Sequence, residues 1–115
     1  MMVASDNRQL RRFDEPEIWR VFSRRGTIQI LLALSRRDAM RSRDIDAEFP
    51  SIARQVLGTR LNELRELGAV QRRVFDGPPM TSEYSLTDLG REISVAANVL
   101  ENAARKSGEL EANAA

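Results

Sequence analysis

The fold of this chain is decided by residues 52–68, IARQVLGTRLNELRELG. At helical spacing, Val56, Leu57, Leu61 and Leu64 form one apolar stripe at steps of three and four. Gln55, Gly58, Thr59, Asn62 and Glu66 fall on the opposite side, with Arg54, Arg60 and Arg65 on its shoulders. That outer face is small, polar and nearly uncharged, where a helix that is merely solvated more often carries Glu and Lys. Gly68 closes the segment as a left-handed C-terminal residue does. Arg, Gln, Asn and Thr are side chains that reach base edges, so the pattern predicts a recognition helix over 52–68 that enters a DNA major groove.

The neighbouring segments fit that reading. Upstream, Ser42 is placed to cap a short helix from Arg43 to Phe49 that buries Ile45 and Phe49, and Pro50-Ser51 makes the turn. A short helix, a tight turn and a second amphipathic helix constitute a helix-turn-helix. Downstream, Val70–Phe75 and Ser82–Leu86 are β-prone, and Asp76-Gly77-Pro78-Pro79 between them continues neither strand. A hairpin in that place is a wing, expected over residues 70–86. Thr87 caps a last helix over 88–105, whose apolar residues are Leu89, Ile93, Ala96, Ala97, Leu100, Ala103 and Ala104.

Toward the N-terminus, Asp14-Glu15-Pro16-Glu17 opens a first helix, with Asp14 as cap and Glu17 three residues on. It is expected to run to about Arg24, with Ile18, Val21 and Phe22 apolar and Trp19 facing either the core or a partner subunit. Gly26-Thr27 breaks the chain, and Ile28–Arg36, apolar nearly all round, reads as the central buried helix. Met40-Arg41 is long enough for a very short strand. Residues 1–13 lack periodicity and read as a flexible arm, and residues 107–115 as a frayed tail. The expectation is one mainly α domain with a small β-hairpin, a winged helix-turn-helix over residues 14–106.

Composition removes most other functions. There is no cysteine, which excludes disulfides, thiolate zinc sites and a thiol switch. There is no histidine, the commonest general base and metal ligand. With no glycine-rich phosphate loop or paired acids either, neither an enzyme nor a cofactor or metal is expected. No apolar run approaches the roughly 20 residues of a membrane span, and the N-terminus lacks a signal peptide's apolar core. A cytoplasmic, nucleoid-associated protein is the expectation. Net charge is +1, but residues 20–73 carry twelve Arg against six acids, whereas residues 74–115 carry three basic residues against seven acids. The middle of the chain therefore holds the basic footprint of a phosphate-binding surface.

Residues 42–93 resemble the HxlR-type winged helix-turn-helix transcriptional regulators, relatives of the MarR family. The resemblance rests on the Pro50 turn, Ile52, Leu57, Arg60-Leu61 and Leu64, Gly68, Arg72-Arg73, Pro78-Pro79, and Tyr84-Ser85-Leu86-Thr87-Asp88-Leu89-Gly90. It implies a homodimer built from the first and last helices. The chain departs from the family pattern where Ala53 replaces a usual Ser, Met80 a basic residue, and Gly26-Thr27 a usual Lys-Trp. The cysteine sensors of some members are absent.

The candidate DNA-binding residues are Ser42, Arg43, Arg54, Gln55, Gly58, Thr59, Asn62, Arg72, Arg73 and Met80. Arg54 and Gln55 sit in the first turn of the recognition helix, where Arg pairs with guanine and Gln with adenine. Thr59 and Asn62 continue that face toward bases or phosphates. Gly58 permits close approach to a duplex, or reflects tight packing or tolerance. Ser42 and Arg43 suit a phosphate at a helix start. Arg72 and Arg73 divide between phosphates and internal salt bridges. The candidate dimerisation residues are Ile18, Trp19, Phe22, Leu89, Ile93, Ala97, Leu100 and Ala104. The expected partners are a pseudo-palindromic DNA operator, a second copy of the chain and a small-molecule effector of unknown identity. The rival reading is a winged-helix module that binds protein instead of DNA.

Overall fold

Gly26, Gly68 and Gly77 take positive φ angles of 92°, 87° and 139°, and each stands where the chain changes direction. The computed structural model describes residues 16–114, so the expected arm at 1–13 and the Asp14 cap lie outside the described residues. Helix α1 spans Glu17–Phe22 with Pro16 at its N-cap, whose carbonyl accepts from the Trp19 and Arg20 amides at 3.0 and 3.3 Å. It stops before Arg24 because Ser23 donates its hydroxyl to the Arg20 carbonyl and the chain then turns through left-handed Gly26. Helix α2, Thr27–Ser35, is the central helix, with Ile30, Leu31, Leu32, Ala33 and Leu34 all buried.

Strand β1, Met40–Arg41, leads directly into helix α3, Ser42–Glu48. Here the sequence reading is corrected by one residue. Arg41 is the N-cap and makes no side-chain cap bond, while Ser42 is already helical. The shift follows from strand pairing, because Arg41 is held extended opposite Glu83 and the helix can begin only after it. Helix α4, Arg54–Leu67, buries Leu57, Leu61 and Leu64, and left-handed Gly68 returns its amide to the Arg65 carbonyl. The helix thus starts at Arg54, with Ala53 as N-cap and Ile52 half-buried against the core.

Strands β2, Val70–Phe75, and β3, Thr81–Leu86, form the hairpin, and β1 adds to the far side of β3 in the antiparallel order β1-β3-β2. The register pairs Val70 with Leu86, Arg72 with Tyr84, Arg73 with Glu83, and Phe75 with Thr81. Alternation then puts Met40, Val70 and Leu86 on the core side and Arg41, Arg73, Glu83, Phe75 and Thr81 on the outer side.

Helix α5, Asp88–Ala114, is capped by Thr87, whose Oγ1 accepts from the Gly90 amide at 3.1 Å and donates to the Gly68 carbonyl at 2.6 Å. It runs well past Arg105, and residues 107–114 continue the helix instead of ending it. Nothing after Arg105 breaks the pattern as proline would, and Arg105 closes the preceding turn onto Asn102 at 2.6 Å and Glu101 at 3.7 Å. The N-terminal half of α5 packs on α2, which buries Ile93 and Ala97 inside the chain's own core. Beyond Ala97, no described side chain of α5 is buried.

Candidate nucleic-acid interface

Helix α4 holds its outer face open because its inner stripe is fully engaged. Leu57 and Leu64 are each 1 % exposed, so rotation of the helix about its axis is blocked by the core. Arg54, Gln55, Gly58, Thr59 and Asn62 are consequently all exposed on the opposite side, one helical step from each other. No other part of the described chain covers them. Thr59 donates its hydroxyl to the Gln55 carbonyl at 2.9 Å, which leaves its oxygen lone pairs outward. Asn62 accepts from Arg65 at 3.4 Å. Arg54 is drawn toward Asp46 of α3 at 3.4 Å, yet its side chain stays 85% exposed.

The start of α4 has a further property. Ala53 supplies no side-chain acceptor, so the first-turn amides of the helix have no side-chain cap. An uncapped helix gives up about 1 kcal/mol relative to one capped by Ser or Thr. Those amides and the positive end of the helix dipole face outward together with Arg54 and Gln55.

Arg60 does not belong to this surface. Its side chain is 15% exposed and turned away, donating to the Arg25 carbonyl at 2.8 Å and to Glu63 at 2.7 Å. The shoulder position expected from the helical spacing is therefore a structural one, at the junction of α4 with the turn after α1.

The remaining candidates form two groups on the wing and at the start of α3. Arg72 bonds Ser82 Oγ across the hairpin at 2.9 and 3.1 Å and lines, with Asn62 and Arg65, a cleft between α4 and β2. Ser42, Arg43 and Met80 come together in a second cleft of about 230 Å³, with Arg41, Thr81 and Ser82 completing its walls. Met80 is 68% exposed there. Arg72 and Arg73 alternate along one strand and so project to opposite sides of the sheet. Among the described residues, none of Arg41, Arg43, Arg72 and Arg73 forms an ion pair with a carboxylate.

Two features escape the sequence reading. Arg41 joins the wing because β1 pairs with β3, and no local pattern announces that partner. Its guanidinium lies over the Phe75 ring, 4.7 Å from the centroid, and donates to Thr81 Oγ1 at 2.7 Å. Val95 and Val99 are 65% and 63% exposed on α5, one turn apart. The candidate residues Ile93 and Ala97 lie instead on the opposite, buried flank of the helix.

The sequence that builds α3, the turn, the exposed α4 and the three-stranded wing matches a family model. The HxlR-like helix-turn-helix model fits residues 21–111. The chain belongs to the HxlR-like helix-turn-helix family of transcriptional regulators. Its sequence is 39% identical over 56 residues to YvaP of Bacillus subtilis (strain 168), an uncharacterized HTH-type transcriptional regulator. That stretch is 49% of this chain and 52% of YvaP, so the match spans about half the length of that relative. Among solved structures, ytfH of Salmonella typhimurium shares the fold with a TM-score of 0.76 at 24% identity, over 84% of this chain and 87% of that one. A MarR-family regulator of Enterococcus faecalis V583 aligns with a TM-score of 0.69 at 19% identity, over 98% and 97% of the two chains. Both establish the winged-helix fold of the HxlR-like chain. No helix among its described residues is long and apolar enough to cross a membrane.

Proposed function

We propose that this HxlR-like chain is a homodimeric, sequence-specific DNA-binding regulator, with α4 in the major groove and the wing against the minor groove or backbone. The observation that carries the reading is the exposed, hydrogen-bonding ridge Gln55, Thr59 and Asn62, set between an uncapped helix start and a wing whose arginines have no carboxylate partners. Such a surface pays little to exchange water for base edges and phosphates, since few internal bonds must be broken first. Phosphate contacts from Arg43, Arg72 and Arg73 supply affinity, and Arg54, Gln55, Thr59 and Asn62 supply discrimination.

Dimerisation rests on α1 and on the outward face of α5. Trp19, Leu100, Val95 and Val99 are 64%, 49%, 65% and 63% exposed. Burying a Leu or Val side chain contributes about 1.5–3 kcal/mol, which supports a two-fold mate that covers these side chains. Two-fold symmetry then calls for an operator of two inverted half-sites about one helical turn apart. Mobility shifts against a library of genomic fragments test the reading. Selective retention that weakens steeply with added salt supports it. Failure to bind any duplex at low salt would sink it and leave the protein-binding module.

A further inference from the structure

The outer face of the wing holds three charged residues in a row across its strands. Arg41 on β1, Glu83 on β3 and Arg73 on β2 are direct register partners. A carboxylate flanked by two guanidinium groups is placed to form a charge-assisted bond with either of them. Neither pair is formed here. Both arginines lean instead toward the next row, nearer the wing tip. Arg41 lies 4.7 Å and Arg73 5.2 Å from the centroid of the Phe75 ring, and Arg41 is fixed by its 2.7 Å bond to Thr81. Two cations gathered around one half-buried ring repel each other. The ring face attracts each of them, but it neutralises neither. An anion placed against both would.

We propose that Arg41 is a DNA-phosphate-binding residue that acts with Arg73, and that Phe75 is the positioning residue that aims the pair. The proposal rests on the DNA-binding reading above and names a contact outside its recognition helix. Each guanidinium keeps N–H donors free in the plane of its fork, the geometry a phosphodiester accepts. Arg41 also lines the cleft that holds Ser42, Arg43 and Met80, so a backbone strand that reaches Arg41 from that side meets Arg43 as well. Glu83 is the counterweight, since its charge lies in the row behind the pair and reduces the local field.

Phosphate contact does not depend on base sequence, so the test needs no operator. The full chain is titrated with a fluorescently labelled random-sequence duplex at several salt concentrations. Arg41→Ala is expected to lower the slope of log affinity against log salt by about 1, and to reduce affinity at 0.1 M salt by roughly tenfold. Phe75→Leu is expected to weaken binding, and Phe75→Tyr, which keeps the ring, to restore it. Glu83→Gln is expected to bind more tightly than wild type, while Arg91→Ala on α5 serves as a charge-loss control that leaves the slope unchanged. Thermal melts confirm that each variant is folded at the assay temperature. An unchanged slope for Arg41→Ala against a salt-dependent wild type overturns the proposal and spares the DNA reading. Equal weakness of the Leu and Tyr variants overturns the role of Phe75. No salt-dependent binding by the wild type overturns both readings together.

Discussion

Arg60 of α4 donates from Nε to the backbone carbonyl of Arg25, 2.8 Å away in the turn that follows α1. The same guanidinium holds Glu63 at 2.7 Å, and the other oxygen of Glu63 lies 3.4 Å from Arg24. One side chain therefore ties the middle of α4 to the turn between α1 and α2. Through it, α4 is linked to the end of α1, the helix proposed to form part of the dimer.

Arg60→Ala removes both bonds and leaves Glu63 half-paired while only 21% exposed. The expected cost is about 2 kcal/mol, the range for charged hydrogen bonds at a partly buried site. Urea denaturation should show a lower midpoint with an unchanged m-value. Arg60→Lys should recover only part of the loss, because an ammonium group cannot serve two acceptors in the fork geometry.

Where β3 hands over to α5, Thr87 and Gly90 both contact the Gly68-Ala69 segment that follows α4. Thr87 caps the helix and bonds Gly68, while a Cβ at Gly90 would collide with the Ala69 carbonyl and lie 3.1 Å from Leu86 Cδ2. Thr87→Val should cost about 1–2 kcal/mol. Gly90→Ala should cost about 3 kcal/mol or more, since backbone must move to admit the methyl group. A thermal melt that ranks the two in the opposite order would show that the α5 start is held mainly by its cap.

The elements whose signals are local were legible in the sequence. The stripe Leu57, Leu61, Leu64, the terminal Gly68 and the Thr87 cap are read from neighbours within a few residues, and each stands as expected. The features that were not legible depend on pairing across the chain. Arg41 becomes a wing residue only through its register with Glu83, and that same pairing moves the start of α3 to Ser42. Likewise, Ile93 and Ala97 read as a free apolar stripe until α2 is laid against them, which leaves Val95 and Val99 as the outward pair.

That outward pair makes dimerisation testable without disturbing the domain. Val99→Glu places a charge at a position 63% exposed in the single chain, so the fold and its melting behaviour should change little. In a dimer the charge would be buried against its own two-fold copy, at a cost of several kcal/mol. Analytical ultracentrifugation should show a monomer where the wild type sediments as a dimer, with operator affinity reduced accordingly. Identical sedimentation of the two proteins would move the interface elsewhere.

The division of labour between ridge and wing predicts two distinct phenotypes. Gln55→Ala should relax selectivity at one base pair, a loss of about 1–3 kcal/mol in discrimination, with the salt slope intact. Arg73→Ala should weaken binding to all sequences alike and flatten the slope by about 1. Binding to a panel of single-base operator variants at two salt concentrations separates them. Indistinguishable mutants would contradict the assignment of bases to α4 and phosphates to the wing.

Gly58 is the position at which stability and function should part company. It sits inside α4, where glycine is less favourable than alanine by about 1 kcal/mol. Nothing lies within 4 Å of a Cβ built there, so packing against the chain itself does not require the glycine. Gly58→Ala is therefore expected to stabilise the free protein by up to about 1 kcal/mol in denaturant titration. If the helix backbone approaches a duplex at this point, the added methyl group occupies that space and DNA affinity should fall although the fold is firmer. A variant that is more stable and binds as well as wild type would remove Gly58 from the interface and shift the groove contact toward Gln55 and the start of the helix.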